Sequence, residues 1–428
     1  GSAVRRAAAP CDGSVGASRA AFGGVDSDGR WRRRPASSAV AGGVRSLGSA
    51  AGGADDVADP RLVSDDPANN VPIDVARKVG RQLHLQEHHP LNIIKSIIET
   101  HFKEAGKVPF EAVDSLSPIV SFEQAFTEIL IPPDHVSTRP QDTFYVDAGH
   151  VLRPHTSAHQ CELMRAGKRA FLCTGDVYRR DTIDATHYPV FHQMEGVKIY
   201  GADAGADLAP GAPREAAVEA CVADLKGDLE GMVRAVFGDV EVRWVEAYFP
   251  FTEPSLELEI YFRDEWLEVL GCGMVHRDLM KSVGLGDHHG YAFGLGLERL
   301  AMVLFGIPDI RLFWSDDERF LRQFREGGAA TRFQPYSSFP ACYKDIAFWL
   351  TPTFHENDFF ALVRTIAGDL VEDVVLVDEF AHPTTQRVSH CYRINYRSMD
   401  RSLTNAEVDV LQEEVRRASA EMLDVELR

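Results

Sequence analysis

Arg179 lies near the end of Gly175-Asp-Val-Tyr-Arg-Arg-Asp181, and a short polar stretch leads from it to Phe191-His-Gln-Met-Glu195. Gln193 and Glu195 are two residues apart, so a strand would send both to one face, and a hairpin would bring Arg179 to that face too. A guanidinium can grip phosphate through paired hydrogen bonds, and a neighbouring carboxylate can hold an ammonium group. Taken alone, Arg179 fits a structural ion pair equally well. A second arginine closes Gly294-Leu-Gly-Leu-Glu-Arg299, where an apolar helix begins and continues through Leu300, Met302, Val303 and Leu304. The glycines superficially suggest a dinucleotide fingerprint, but Arg299 occupies the third glycine position and no parallel βαβ unit surrounds it. No Gly-x4-Gly-Lys-Ser/Thr loop exists either, which excludes a P-loop.

Phe249 and Phe251 flank Pro250, so both rings can line one wall of a cavity, although ordinary core is the plainer reading. No Ser-His-Asp or Cys-His set accompanies them. Cations and a carboxylate on one face would act on phosphate and ammonium ligands by positioning and charge.

The elements that must hold these residues follow from pattern. Pro90 suits a first helical turn, and Leu91, Ile94, Ile98 and Phe102 recur at helical spacing. Short β-rich runs fall at 144–148, 169–174, 195–200, 240–247, 256–262 and 266–272, with a surface loop at Gly201–Pro213 and a helix from there to Phe237. Strands outnumber the helices between them, which predicts an α+β domain with a mostly antiparallel sheet. From Pro335 the order is strand (345–350), helix (356–371), strand (374–380), strand (388–397), helix (405–423) and a final edge strand. That is the β-α-β-β-α-β ferredoxin-like unit. The expected divisions are a leader at 1–62, a catalytic domain at 63–316, a charged linker at 317–334 and a C-terminal domain at 335–428.

The 428 residues predict two to four domains, and 45% hydrophobic with 25% charged residues fits a soluble globular enzyme. The longest apolar run, Phe293–Ile307, is broken by Glu298 and Arg299, so no membrane helix is expected. Seven scattered cysteines without a Cys-x-x-Cys pair argue against a disulfide framework or structural zinc and for a reducing compartment. The net charge of −19 hides a +5 at residues 1–50, whose eight arginines and three acids read as a transit peptide or a plain disordered tail. Residues 334–428 carry nine bases against sixteen acids, yet Arg387, His390, Arg393, Arg397 and Arg401 cluster there. That strip is a candidate RNA contact, the alternative being a solvated edge strand.

Together, an arginine ending one strand, a glutamate on its partner and Gly-x-Gly-x-Glu-Arg opening a helix resemble motifs 2 and 3 of class II aminoacyl-tRNA synthetases. His155-Thr-Ser-Ala-His-Gln160, Phe191-His-Gln-Met-Glu195, Phe249-Pro-Phe-Thr-Glu-Pro254 and Trp266-Leu-Glu-Val-Leu-Gly-Cys-Gly273 are similar to phenylalanyl-tRNA synthetases in particular. The resemblance runs from about His84 to the C-terminus and extends to the single-chain organellar form. It implies a class II catalytic domain followed by a ferredoxin-like anticodon-binding domain. It also implies ATP, Mg2+, L-phenylalanine and tRNA(Phe) as ligands, a monomer, no membrane, and residence in the mitochondrial matrix or chloroplast stroma.

By position, the resemblance implies that Arg179 grips the α-phosphate and Arg299 the γ-phosphate, with Thr186, His187, Tyr188, Phe191 and Glu268 also at ATP and Glu268 at the metal. His155, Ser157, Ala158, His159, Gln160, Gln193, Met194 and Glu195 would hold the amino acid's polar end, and Phe249, Phe251, Ala292 and Phe293 its ring. Asp181 stands where the family usually has glutamate. Three other functions fit parts of the pattern: a class II synthetase for another amino acid, an inert RNA-binding relative, and an acyl-adenylating enzyme without tRNA. The paired phenylalanines and Ala292 count against the first, the intact motif residues against the second, and the C-terminal domain against the third.

Overall fold

The computed structural model describes residues 57–104, 108–335 and 339–428. Its strands are β1 (Glu111–Val113), β2 (Ile119–Ser121), β3 (His150–Leu152), β4 (Ala170–Tyr178), β5 (Val190–Ile199), β6 (Val242–Phe249), β7 (Thr252–Phe262), β8 (Glu265–Val275) and β9 (Gly290–Gly296), then β10 (Cys342–Trp349), β11 (Val371–Ala381), β12 (Val388–Tyr396) and β13 (Glu426–Leu427). Among the described residues, β1-β4-β5-β9-β8-β7-β6 form a seven-stranded sheet, antiparallel except where β1 meets β4.

Alternation along the strands sorts side chains to two faces. Leu172, Met194, Leu270, Cys272, Phe293 and Leu295 pack beneath the helices Pro90–Glu104, Arg214–Phe237 and Leu297–Phe305. The predicted stripe Leu91, Ile94, Ile98 and Phe102 is buried in that layer, each side chain contributing roughly 1.5–3 kcal/mol. Phe102 stacks on Phe293 with ring centroids 5.1 Å apart. The other face carries Phe171, Cys173, Val197 and Ala292, and a smaller cluster covers one end of it.

Four local expectations change. Gly294–Gly296 belongs to β9, and the helix starts only at Leu297; a strand buried on both faces reads as an unbroken apolar run and is hard to tell from a helix. The run 144–148 forms no strand beyond a bridge from Tyr145 to Val151, because Asn70 takes Tyr145's backbone groups, its amide at 2.6 Å and its carbonyl at 3.1 Å. The segment 317–334 contains the helix Glu318–Gly327, whose Phe320 and Phe324 are buried in the main core. The expected leader lies outside the described residues up to 56, and Leu62 at its end is fully buried in that same core.

The C-terminal strands run in the order β11-β12-β10-β13, all antiparallel, with helices Glu356–Ala367 and Asn405–Met422 on one face. Thr404 and Glu407 close a capping box at the second helix. Arg311, paired with Asp309, donates to the carbonyls of Asp369, Val371 and Arg397 at 2.9–3.1 Å and so anchors this unit to the first.

Candidate active site

Phe191, Gln193 and Glu195 alternate onto the sheet face opposite the long helices, where their cross-strand neighbours on β9 are Gly296 for Gln193 and Gly294 for Glu195. A Cβ built on Gly294 or Gly296 would meet nothing within 4 Å, so the floor between them is open. Beside Gly294 on β8 lies Gly271, where a Cβ would sit 2.6 Å from the Phe249 ring. Only glycine there lets that ring lie flat on the sheet. Phe249 and Phe251 stack with centroids 6.0 Å apart, and Phe251 reaches the cluster containing Val197 and Ala292. The result is an aromatic wall beside a glycine floor.

The polar end of this slot comes from the turn Thr156–His159, packed against β4 and β5. Ser157 Oγ donates to Glu195 Oε2, while Glu195 Oε1 is buried without a partner. Burial pushes the Glu195 carboxyl up to about 8, against the Ser157 hydrogen bond, which lowers it. Both His155 ring nitrogens and both Gln160 amide atoms are likewise buried and unpartnered, and burial holds His155 down to about 3. Each such group costs roughly 1–3 kcal/mol if nothing ever satisfies it. A neutral carboxyl that ionises when an ammonium arrives, next to a neutral imidazole, suits a small zwitterion.

Arg179 Nε donates to the Pro154 carbonyl at 2.8 Å and its guanidinium lies 5.2 Å from the Phe191 ring centroid, on the site face. Arg299 is exposed and lies 3.2 Å from Glu268. A bulge opposite Leu258 and Glu259 turns Glu268 onto the site face beside Glu257, whose carboxyl is pushed up by burial and then by Glu268 and Glu259. His187 feels the Arg299 charge, so the loop that follows Arg179 lies near Arg299. In the loop joining β4 and β5, Asp184 accepts from the Thr186 amide and hydroxyl and from the His187 amide and Nδ1, all at 2.7–2.9 Å. Burial raises the Asp184 carboxyl, but the hydrogen bonds win and hold it well below the usual carboxylate range, and Asp184 in turn raises His187. This end offers cations to a polyphosphate.

Several expected residues go elsewhere. Met194 and Phe293 point to the opposite face, because each adjoins a residue, Gln193 or Ala292, that takes the site face. Tyr188 stacks on Trp314 and donates to Asp369 at 2.6 Å, so it faces the C-terminal domain. His159 is held by Arg153 at 2.8 Å and Glu162 at 3.0 Å, and Ala158 is packed in the small core cluster; both shape the turn from behind. Asp181 spends an oxygen on the Thr182 amide at 2.8 Å.

The basic strip is not a bare one. Arg387 pairs with Glu426, Arg393 with both oxygens of Asp345 at 2.8 Å, and Arg397 with Glu372 at 2.8 Å. His390 bonds to Glu379 and Tyr392 on the helix-covered side, whereas Arg393 lies on the open side over Tyr343. Reading by type missed the open side's aromatic set, where Arg387 and Arg428 lie over Trp349 and Arg428 also covers Phe380. Arg153, which opens the Arg153–Gln160 block, received no role from sequence; it is buried and donates to the Asp176 carbonyl and carboxylate at 2.7 Å each.

No group of three or more His, Cys, Asp or Glu among the described residues is arranged to hold a metal ion, and no described helix is long and apolar enough to cross a membrane.

Comparison with known proteins adds the following. The family model described as tRNA synthetases class II core domain (F) matches residues 72–209 and 215–324, and the ferredoxin-fold anticodon binding domain matches 337–428. The chloroplastic/mitochondrial phenylalanine–tRNA ligase of Arabidopsis thaliana is 52% identical over 399 residues, covering 93% of this chain and 90% of the relative. The mitochondrial phenylalanine–tRNA ligase of Dictyostelium discoideum is 46% identical, covering 84% of this chain and 89% of the relative. That of Mus musculus is 49% identical, covering 85% and 86%.

Proposed function

The chain belongs to the class II tRNA synthetases and, among them, to the organellar phenylalanine–tRNA ligase family, and on that premise we propose how its site charges tRNA(Phe) with phenylalanine. The carboxylate of L-phenylalanine attacks the α-phosphorus of ATP in line, the bond to the β-phosphate oxygen breaks, and pyrophosphate leaves. The terminal ribose hydroxyl of tRNA then attacks the acyl carbon, the bond from that carbon to the AMP phosphate oxygen breaks, and AMP leaves with the hydroxyl proton passing to a phosphate oxygen.

Ser157 and Glu195 bind the ammonium group, with His155, Gln160 and Gln193 completing the polar end. The ring lies against Phe249 and Phe251 over Ala292. Arg179 bonds the α-phosphate and the charge that develops there, and Phe191 stacks on adenine. Arg299, Thr186 and His187 bind the remaining phosphates. Fixed cations in a partly dehydrated slot supply most of the rate enhancement by holding the reactants and stabilising charge. If Mg2+ binds with the nucleotide, Glu268 is the carboxylate that would help hold it, and the ion would neutralise phosphate charge. The tRNA anticodon arm meets the C-terminal domain at Arg387, Arg393 and Arg397, with Trp349 and Phe380 available to stack on bases. The enzyme works as a monomer in organellar translation.

The observation that carries this reading is the buried Ser157–Glu195 pair, with one carboxyl oxygen unpartnered, beside a stacked aromatic wall. Amino-acid-dependent pyrophosphate exchange with all twenty amino acids tests it. Phenylalanine should dominate; equal exchange with tyrosine and leucine, or none with phenylalanine, would remove the reading.

A further inference from the structure

The loop between β4 and β5 carries Thr186 and His187, yet much of what holds it in place belongs to the other domain. Arg364, on the helix Glu356–Ala367, donates to the Asp181 carbonyl at 2.6 Å and also to the Thr182 carbonyl. The next residue, Ile183, is buried in the C-terminal core with Phe360, Val363 and Val374, although it belongs to the catalytic domain by sequence. Its carbonyl accepts from the Val374 amide of β11 at 3.0 Å. Further along, Tyr188 donates to Asp369, and before the loop Arg180 pairs with Asp358 at 3.0 Å. Between these anchors the tip is organised by its own Asp184 and by Ile310 of the catalytic domain, whose amide donates to the Ala185 carbonyl at 2.8 Å.

Fixing a loop residue's backbone costs conformational entropy. A loop that ATP itself had to order would take that cost from the binding energy of ATP. Here the contacts between domains meet the cost beforehand.

We propose that Arg364 and the socket for Ile183 make the C-terminal domain a positioning device for the nucleotide loop during amino-acid activation, a task separate from any contact with tRNA. This rests on the assignment of ATP to the loop made above. Arg364 and Ile183 touch neither substrate; they act through Thr186 and His187.

The test is phenylalanine-dependent pyrophosphate exchange without tRNA, on the full chain and its Arg364→Ala, Arg364→Lys and Ile183→Ala variants, with Arg417→Ala as a same-domain control. For Arg364→Ala the KM for ATP should rise about tenfold, the size of a lost charge-assisted hydrogen bond, and Ile183→Ala, which empties the apolar socket, should raise it too, while that for phenylalanine stays put. Arg364→Lys should recover part of the loss. Amide hydrogen exchange across 181–188 should quicken in the two alanine variants and not in the control. An unmoved KM for ATP, or KM values for both substrates rising together, would overturn the positioning role while leaving the activity intact. Absence of exchange in the unaltered chain would instead overturn the activity assignment itself.

Discussion

Glu298 accepts two hydrogen bonds from His192, one from its main-chain amide at 2.8 Å and one from its ring Nδ1 at 2.7 Å, and both residues are buried. The first turn of the helix that presents Arg299 is thereby bolted to the strand that presents Gln193 and Glu195. Arg299 and the slot lined by Gln193 and Glu195 share one rigid reference.

Glu298→Ala would leave the His192 donors buried without an acceptor, at a cost of about 1–3 kcal/mol. Thermal unfolding should move down accordingly. Because Arg299 also loses its registration, activation should fall by about 10²-fold, the effect of a misplacement near 1 Å. A variant as active and as stable as the parent would show that the bolt is not needed.

Arg179→Ala should lower kcat/KM for pyrophosphate exchange by about 10²–10³-fold, as for loss of one preorganised donor at developing charge. Arg179→Lys should not restore it. The guanidinium donates Nε to Pro154 and lies over Phe191, a planar geometry that an ammonium cannot copy. Steady-state exchange kinetics on both variants decides the matter.

With Glu195 at the ammonium group, as proposed, phenylalanine binding should depend on pH. In the free protein its carboxyl is held up to about 8, so it is largely protonated near neutrality and must release a proton to pair with an ammonium. Affinity should therefore rise as pH increases toward 8, and calorimetry in buffers of different ionisation enthalpy should detect proton release. Stability runs the other way. The folded state binds more protons than the unfolded one between the ordinary value of 4.5 and about 8, so stability falls across that window. Glu195→Gln should flatten both profiles; persistent proton release in that variant would locate the titrating group elsewhere.

Ala292 is buried on the site face with Phe251 and Val197 close by. Removing its methyl in Ala292→Gly should admit para-substituted phenylalanines such as the 4-chloro derivative. Since one methylene-sized change in such a pocket is worth about 1–3 kcal/mol, discrimination should relax by about 10–200-fold. An unchanged substrate range in exchange assays would place the ring elsewhere.

Arg387→Glu with Arg393→Glu should weaken tRNA binding and reduce its salt slope by about 1 for each phosphate that is no longer neutralised. Both side chains already have acidic partners, Glu426 and Asp345, so tRNA must compete for them. Affinity and slope that both stay put would leave these arginines as intradomain pairs.

Much of the site was legible in the one-dimensional pattern, for reasons local to the chain. Two-residue spacing is enough to send Gln193 and Glu195 to one face, Phe249 and Phe251 flank a single proline, and Arg299 follows its glycines directly. The ferredoxin-like order was legible for the same reason, since each element there has a clean period and a clear boundary such as the Thr404 cap. Misreadings arose where neighbours in sequence had to part in space. Ala292 and Phe293, like Gln193 and Met194, sit side by side on strands and so face opposite ways.

What the amino-acid order determined by itself was the inventory and its local geometry: which cations, carboxylates and rings are present, and which pairs share a face. Only the tertiary structure decided who meets whom over long separations. His192 finds Glu298, Tyr188 turns from the nucleotide end to Asp369, Ile183 crosses into the other domain's core, and the C-terminal arginines acquire carboxylates from strands and chain end. The physical reason is that period and propensity act over a few residues. Burial, charge pairing and the perturbed titration of Glu195 depend on surroundings assembled from segments far apart along the chain.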